Sequence, residues 1–252
     1  MSAALLAELR DSPLTLGERV PGASNVTVLA RTGEGTRCVY KPRAGERELW
    51  DFPSGTLAER EVATFEMDLA LGWNLVPPTV IRADGPLGPG MCQLYVEAVG
   101  EPPVALIPQG NVPVGWCVAA SGDGYVLMHR DSVELRRMVL LDAITANTDR
   151  KGGHLLPVVG SGVFGIDHGV TFSVEDKLRT VLWGFAGQEI GGSEQADLEA
   201  LLEHWPSAAE PIAGLLSAAE VDAARERLTA LVTLKVFPLP QPGWPRLPWP
   251  VM

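Results

Sequence analysis

Cysteine is scarce, with three residues in 252, at positions 38, 92 and 117. They are far apart, odd in number, and absent from any C-x-x-C or Cys/His spacing, which argues against both a disulfide framework and a zinc site. The opening residues, MSAALLAELRDSPLTLGERV, lack the basic start and long apolar core of a secretory signal. A reduced, cytoplasmic setting is the expectation. No apolar run approaches the roughly 20 residues that cross a bilayer, so integral membrane association is not expected. Positive charge is also short: 20 Lys and Arg stand against 31 Asp and Glu, for a net charge of −11. Nucleic-acid binding is not expected, because neutralising phosphates takes clustered Lys and Arg. Attraction to an anionic lipid surface is disfavoured for the same reason. What is present is ordinary globular composition, 46% hydrophobic and 20% charged. That suits one large domain or two small lobes.

Periodicity divides the chain. Residues 25–41 alternate around the turn RTGEG and read as a β-hairpin. Residues 55–71 have helical spacing, with Ala58, Val62, Phe65 and Leu69 on one stripe, Glu61 at its flank, Glu59 and Glu66 facing water, and Gly72 as the stop. VPPTVIRA and GMCQLYVEAV read as two strands around DGPLGPG. Residues 100–131 are rich in Pro and Gly, with short strands at GWCVAA and GYVLMH. Asp131 with Glu134 is a capping-box variant that opens a helix over 132–146. HLLPVV and GVFGID read as strands, and the chain is helical after 193, where Ser217 and Glu220 make a second box. The tail FPLPQPGWPRLPWPVM reads as polyproline II, held down by Trp244 and Trp249, or else as a free ligand for a partner. The expected architecture is α+β and bilobal, with a small β-rich N-lobe over residues 1–97 and a mostly helical C-lobe over 98–252. A cleft between lobes is the default ligand site.

Two polar knots interrupt apolar runs in the second half, NTDRKGGH at 147–154 and IDHG at 166–169. Asp149 sits where the helix breaks, beside two glycines that let backbone approach a ligand closely. A carboxylate there could orient an attacking hydroxyl or accept its proton. Asp167 ends a strand and suits a hard cation with oxygen ligands, whereas the nitrogen of His154 suits it less well. Asp142 reads as a buried carboxylate ordering the loop. In the first half, Lys41 ends a strand, and an inward-facing lysine needs an anion. Glu61 is placed to be that partner. Lys177 and Arg179 could meet an anionic acceptor or simply be solvated. Lysine, glutamate, loop aspartate and strand-end aspartate, in that order, are the parts of a kinase-type phosphoryl-transfer site. The chain has no G-x-G-x-x-G loop, H-R-D, D-F-G or P-loop.

DRKGGH followed by IDHG resembles the D-R-x-x-x-N … I-D-N-G pattern of phosphatidylinositol 3- and 4-kinases, in particular the type II 4-kinases and the related HipA-type kinases. The stretches YKPRAGERELWDFPSGTLAEREVA, LGWNLVPPTV, LRRMVLLDAITANTDRKGGHLL, IDHGVTF and LRTVLWGFAGQEI resemble an actinobacterial family of phosphatidylinositol 3-/4-kinase-like proteins, from about residue 20 to the tail. The resemblance implies ATP with Mg²⁺ or Mn²⁺. Lys41 would meet the phosphates and Glu61 would hold it. Ser24 and Asn25 would cover the phosphates, and Gln93, Leu94, Tyr95 and Val96 would form the hinge for adenine. Asp149 would be catalytic, with Asn147 and Arg150 in the same loop, and Asp167 the main metal ligand. His154 stands where lipid kinases carry a metal-binding Asn. The expected acceptor is a protein or small molecule rather than a membrane lipid. The alternative is a nucleotide-binding pseudokinase acting as a regulatory module.

Overall fold

The computed structural model describes residues 2–160 and 162–252. Helix α1 (Ala3–Asp11) precedes strands β1 (Leu14–Arg19), β2 (Val28–Thr32) and β3 (Arg37–Pro42). Helix α2 (Leu57–Leu71) then separates these from β4 (Thr79–Arg82) and β5 (Gly90–Leu94). The five strands form one antiparallel sheet in the order β1-β2-β3-β5-β4. Side chains alternate across a strand, and β3 shows why this matters. Cys38 and Tyr40 are buried beneath α1 with Leu9, Val80 and Cys92, so Val39 and Lys41 emerge on the opposite face. Sequence reading anticipated the β2–β3 hairpin but not α1 or β1.

Helix α2 is fixed at both ends. The Glu46 carboxylate accepts from the Leu57 and Ala58 amides at 3.1 and 3.0 Å. Gly72 closes the other end at φ 69°, in the left-handed region where a side chain is strained. Ala58, Val62 and Phe65 are buried as expected, while Leu69 is exposed. The packed face continues instead through Ala63, Met67 and Leu71. Glu59 and Glu66 do not face open water; both are half-buried, and Glu59 pairs with Arg43.

A second, three-stranded sheet follows, from β6 (Val104–Pro108), β7 (Trp116–Gly122) and β8 (Tyr125–Arg130), in the order β6-β8-β7. Strand β6 follows Pro102 and Pro103 and ends on Pro108, residues that a sheet accepts only at its edges and strand ends. Helix α3 (Val133–Thr145) is capped by Ser132, whose hydroxyl accepts from the Leu135 amide. Asp131, the expected cap, is instead bonded to Arg136 at 2.9 Å. Residues Met138 to Thr145 are all buried, so α3 forms the axis of the main core. The short hairpin β9 (Leu155–Pro157) and β10 (Val163–Gly165) precedes helices α4 (Gly192–Glu203), α5 (Trp205–Ala213) and α6 (Ala218–Leu234). The Ser217–Glu220 capping box is formed in full. The molecule is thus a β-sheet region followed by a mostly helical region. Among the described residues, no helix is long and apolar enough to cross a membrane. In the tail, Trp244 is anchored through its indole N–H to the Lys177 carbonyl at 3.1 Å, but Trp249 stands 88% exposed and anchors nothing.

Candidate active site

Lys41 leaves β3 on the face away from α1. Glu61 leaves α2 into the same space. The Lys41 ammonium lies 2.5 Å from Glu61 Oε1 and 2.7 Å from Asp167 Oδ1. Burial opposes its charge, but the two carboxylates outweigh burial and hold its pKa above the ordinary lysine value. Asp167 has φ 61°. Asp tolerates this left-handed region better than most side chains, and the surroundings enforce it. The Ile166 amide donates to His154 O at 3.0 Å, and the His168 amide donates to Glu61 Oε2 at 2.9 Å. Half of the Asp167 side chain is open to the cleft. The charge of Lys41 holds its carboxyl well below the usual range, against the effect of burial.

Asp149 lines the same cleft. Its amide donates to Asn147 Oδ1 at 2.9 Å, and its carboxylate pairs with Lys151 at 2.9 Å. Burial raises the Asp149 pKa, with Lys151 opposing. Asn147 and Arg150, expected among the catalytic residues, are fully buried and turn away from the cleft. Arg150 donates to both oxygens of Asp142, at 2.8 and 2.7 Å, and to Ile166 O at 3.0 Å. Asn147 donates to Asp142 Oδ1 at 2.9 Å. These two residues shape the loop, and their charge and polarity are consumed inside it.

The cleft comprises two adjoining cavities of about 330 and 470 Å³. Ser24, Asn25, Lys41, Lys151 and Asp167 line both. The larger reaches the segment Gln93 to Val96 and His154. The smaller reaches Asp149, Glu61 and the loop after β3. Ser24 and Asn25 lie in the turn between β1 and β2. That turn is zipped to the next loop, with the Val26 amide on Gly45 O at 3.1 Å and the Arg47 amide on Asn25 Oδ1 at 2.9 Å. In the expected hinge, the Leu94 and Tyr95 amides already donate to Pro78 and Arg37 carbonyls. Neither is free as a donor to a base. The Gln93 side chain is likewise committed, to Thr79.

Burial pushes the His154 imidazole down to about 4, so the ring is neutral at pH 7. Its Nε2 is 3.4 Å from Asp167 Oδ2, and its buried Nδ1 has no partner. Among the described residues no three His, Cys, Asp or Glu side chains converge as a metal cage. The donor set therefore fits a cation that takes only one or two protein ligands and completes its shell with phosphate oxygens and water, as Mg²⁺ does.

Sequence reading gave no role to Lys151 or His168. Lys151 was legible as a cation two residues past Asp149. His168 was not, because its importance lies in tertiary contacts: its amide meets Glu61 and its Nε2 lies 2.6 Å from Arg150 Nη2. Lys177 does not wait for an acceptor. It is buried between the rings of Trp50 and Trp244, with Glu175 at 2.7 Å and Asp51 at 3.6 Å. Arg179 donates to Thr148 O at 2.5 Å.

No known family model matches the chain. Among solved structures, the Golgi casein kinase with Mn/ADP bound superposes with a TM-score of 0.61 at 16% identity, covering 91% of this chain and 74% of that one. Hydra Fam20 with sugar superposes with a TM-score of 0.54 at 15% identity, covering 91% and 86%. These likenesses establish a protein-kinase-like fold. The Mycobacterium tuberculosis protein Rv2133c is 44% identical over 263 residues, covering 97% of this chain and 94% of that protein. The chain therefore belongs to the family of Rv2133c.

Proposed function

We propose that the protein is an ATP-dependent phosphotransferase, using Mg²⁺ or Mn²⁺, of the phosphatidylinositol 3-/4-kinase-like type. The observation that carries this reading is Lys41, held between Glu61 and Asp167 in a cleft that Asp149 also lines. In a kinase-type site these groups hold phosphate and metal and receive the acceptor's proton. A structural neighbour solved with Mn/ADP supports the same ligands here. The sheet region, residues 1–97, serves as the nucleotide lobe and residues 98–252 as the catalytic lobe.

Each side chain then has a task. Glu61 fixes Lys41, and Lys41 and Lys151 grip phosphate oxygens. Ser24 and Asn25 roof the phosphates. Gln93, Leu94, Tyr95 and Val96 line the base pocket by shape and carbonyl groups. Asp149 orients the acceptor hydroxyl and takes its proton, for which a raised pKa is an advantage. Asp167, with neutral His154 beside it, holds the metal. Bound metal supplies charge neutralisation on the transferring phosphoryl group. The net charge of −11 disfavours attraction to an anionic lipid surface, which favours a protein or small-molecule acceptor over a membrane lipid.

A nucleotide-binding module without turnover is the second reading. It is favoured by His154, whose nitrogen stands at the place of a metal-binding Asn. Thermal shift with ATP, with and without Mg²⁺, tests the shared part: we expect metal-dependent stabilisation. Incubation with γ- and α-labelled ATP separates the rest. Transfer of the γ label alone supports the kinase, the α label indicates nucleotidyl transfer, and neither label with ATP intact leaves the binding module.

A further inference from the structure

We propose that the segment Trp244–Met252 is a positioning strap for the loop that carries Asp149, with the Val251 carbonyl setting the Gly152–Gly153 turn and the Met252 side chain lying over it. This rests on the reading of that loop as catalytic. A free ligand for a partner was the alternative reading of this segment, yet its Trp244 indole and its Arg246 and Val251 carbonyls all bond inward. The Arg246 carbonyl accepts from the Thr180 amide at 3.2 Å and from the Trp183 indole at 2.7 Å. Thr180 is in turn bridged to Arg150 in a parallel pairing. The Arg150 amide donates to Arg179 O, and the Val181 amide donates to Arg150 O, both at 3.1 Å. Segment, middle chain and catalytic loop are thus stitched side by side.

The second attachment is at the turn itself. The buried Gly152 amide donates to Val251 O at 2.8 Å. A buried amide needs such a partner, and here the strap provides it. Met252 lies directly over Gly152. A Cβ at position 152 would come within 2.8 Å of Met252 Sδ and 3.3 Å of Val104 Cβ. Gly152 also opens a short 3-10 turn through His154. Its placement therefore fixes Asp149 and Lys151 on one side and His154 on the other. Leu247 and Val251 pack against the main core, so the strap has a grip of its own.

The fit over Gly152 gives a relief test. Gly152→Ala has no backbone penalty from a positive φ, and its new Cβ meets Met252 Sδ first, at 2.8 Å, ahead of Val104 Cβ at 3.3 Å, so adding Met252→Ala separates the two collisions. We expect Gly152→Ala to lower kcat by roughly tenfold to a hundredfold, the scale of an ångström-level misplacement. KM for ATP should stay near wild type. Amide exchange across residues 150–154 should quicken. Met252→Ala, added to Gly152→Ala, should restore both kcat and protection, because the flexible obstacle is gone. If the double variant is no better than Gly152→Ala, or if kcat and KM worsen together in step with the melting temperature, the strap proposal is wrong. Restored protection without restored kcat also overturns it. If wild type shows no ATP turnover, the phosphotransferase reading has failed, and exchange alone decides the strap. Unrelieved exchange in the double variant then rejects it, and relieved exchange upholds it.

Discussion

Two charged clusters meet at the same loop and are finished differently. Around Asp142, both carboxylate oxygens receive donors from Arg150 and Asn147, and all three residues are sealed from water. Around Lys41, the ammonium and Glu61 are buried, but Asp167 keeps half of its side chain open to the cleft. The ingredients are alike, an acid, a base and a neighbouring polar group. Saturation makes the first a brace. An unsaturated face makes the second a place for a ligand. Composition alone does not separate them, and neither does motif position, since Arg150 lies beside Asp149 in sequence and behind it in space.

The largest effect should fall on the brace. Arg150→Met leaves Asp142 buried without its cation, and breaking a buried pair from one side costs about 3–5 kcal/mol. Urea denaturation reads this directly. A loss under about 1 kcal/mol would show that Asp142 does not depend on Arg150, and the contrast between the clusters would collapse. On the cleft side the order should reverse. Asp149→Asn should keep its denaturation midpoint and lose turnover by about 10²- to 10⁴-fold, the usual worth of a positioned acid or base. Equal turnover in the two proteins would remove Asp149 from the chemistry.

Asp167→Asn sharpens the comparison at lower magnitude. The wild-type stabilisation by nucleotide and metal, about 3 kcal/mol at a hundredfold excess over Kd, should lose its metal-dependent part. Binding of nucleotide without metal should persist, because Lys41 keeps Glu61. A metal-dependent shift that survives the substitution would place the cation elsewhere.

Much of this was legible in sequence, and the failures have physical causes. The strand end at Lys41 and the helical spacing around Glu61 allowed the two to face each other without demonstrating it, and the structure pairs them. The breaks at NTDRKGGH and IDHG marked the loop and the strand end that the fold brings to one cleft. Arg150 and Asn147 could be read either as braces of the loop or as catalytic residues, because a residue's direction within an irregular loop follows no period; their bonds to Asp142 make them braces. Asp142 was read as a buried, loop-ordering acid that accepts backbone or Arg hydrogen bonds, and the structure shows which arginine, Arg150. Ser132 displaced Asp131 as the helix cap by one residue, the ordinary uncertainty of a helix end. Trp249 was expected to anchor the tail because tryptophan buries well, but Val251, Met252 and Trp244 hold that segment and leave Trp249 in solvent. Helix α1 was legible and missed, since AALLAELRD is built almost wholly of strong helix formers with Leu5, Leu6 and Leu9 toward the sheet, whereas strand β6, flanked by prolines, carries no such pattern.

A third carboxylate tests the same distinction with the smallest effect. Asp68 is buried on α2 and accepts the Leu75 and Val76 amides at 2.8 and 2.9 Å, but its other oxygen has no partner. It is neither paired with a cation nor open to a ligand. Burial outweighs the two amides and pushes its pKa up to about 6. Between about pH 4 and pH 6 the folded protein therefore binds a proton that the unfolded chain releases, and stability must fall as pH rises through this window. Asp68→Asn keeps one acceptor oxygen and cannot titrate. The stability of wild type minus that of Asp68→Asn should drop by on the order of 2 kcal/mol from pH 4 to pH 7, while groups common to both proteins cancel. A difference that stays flat, or rises, would mean that Asp68 is ionised in the fold and finds a donor at its second oxygen, as Asp142 does.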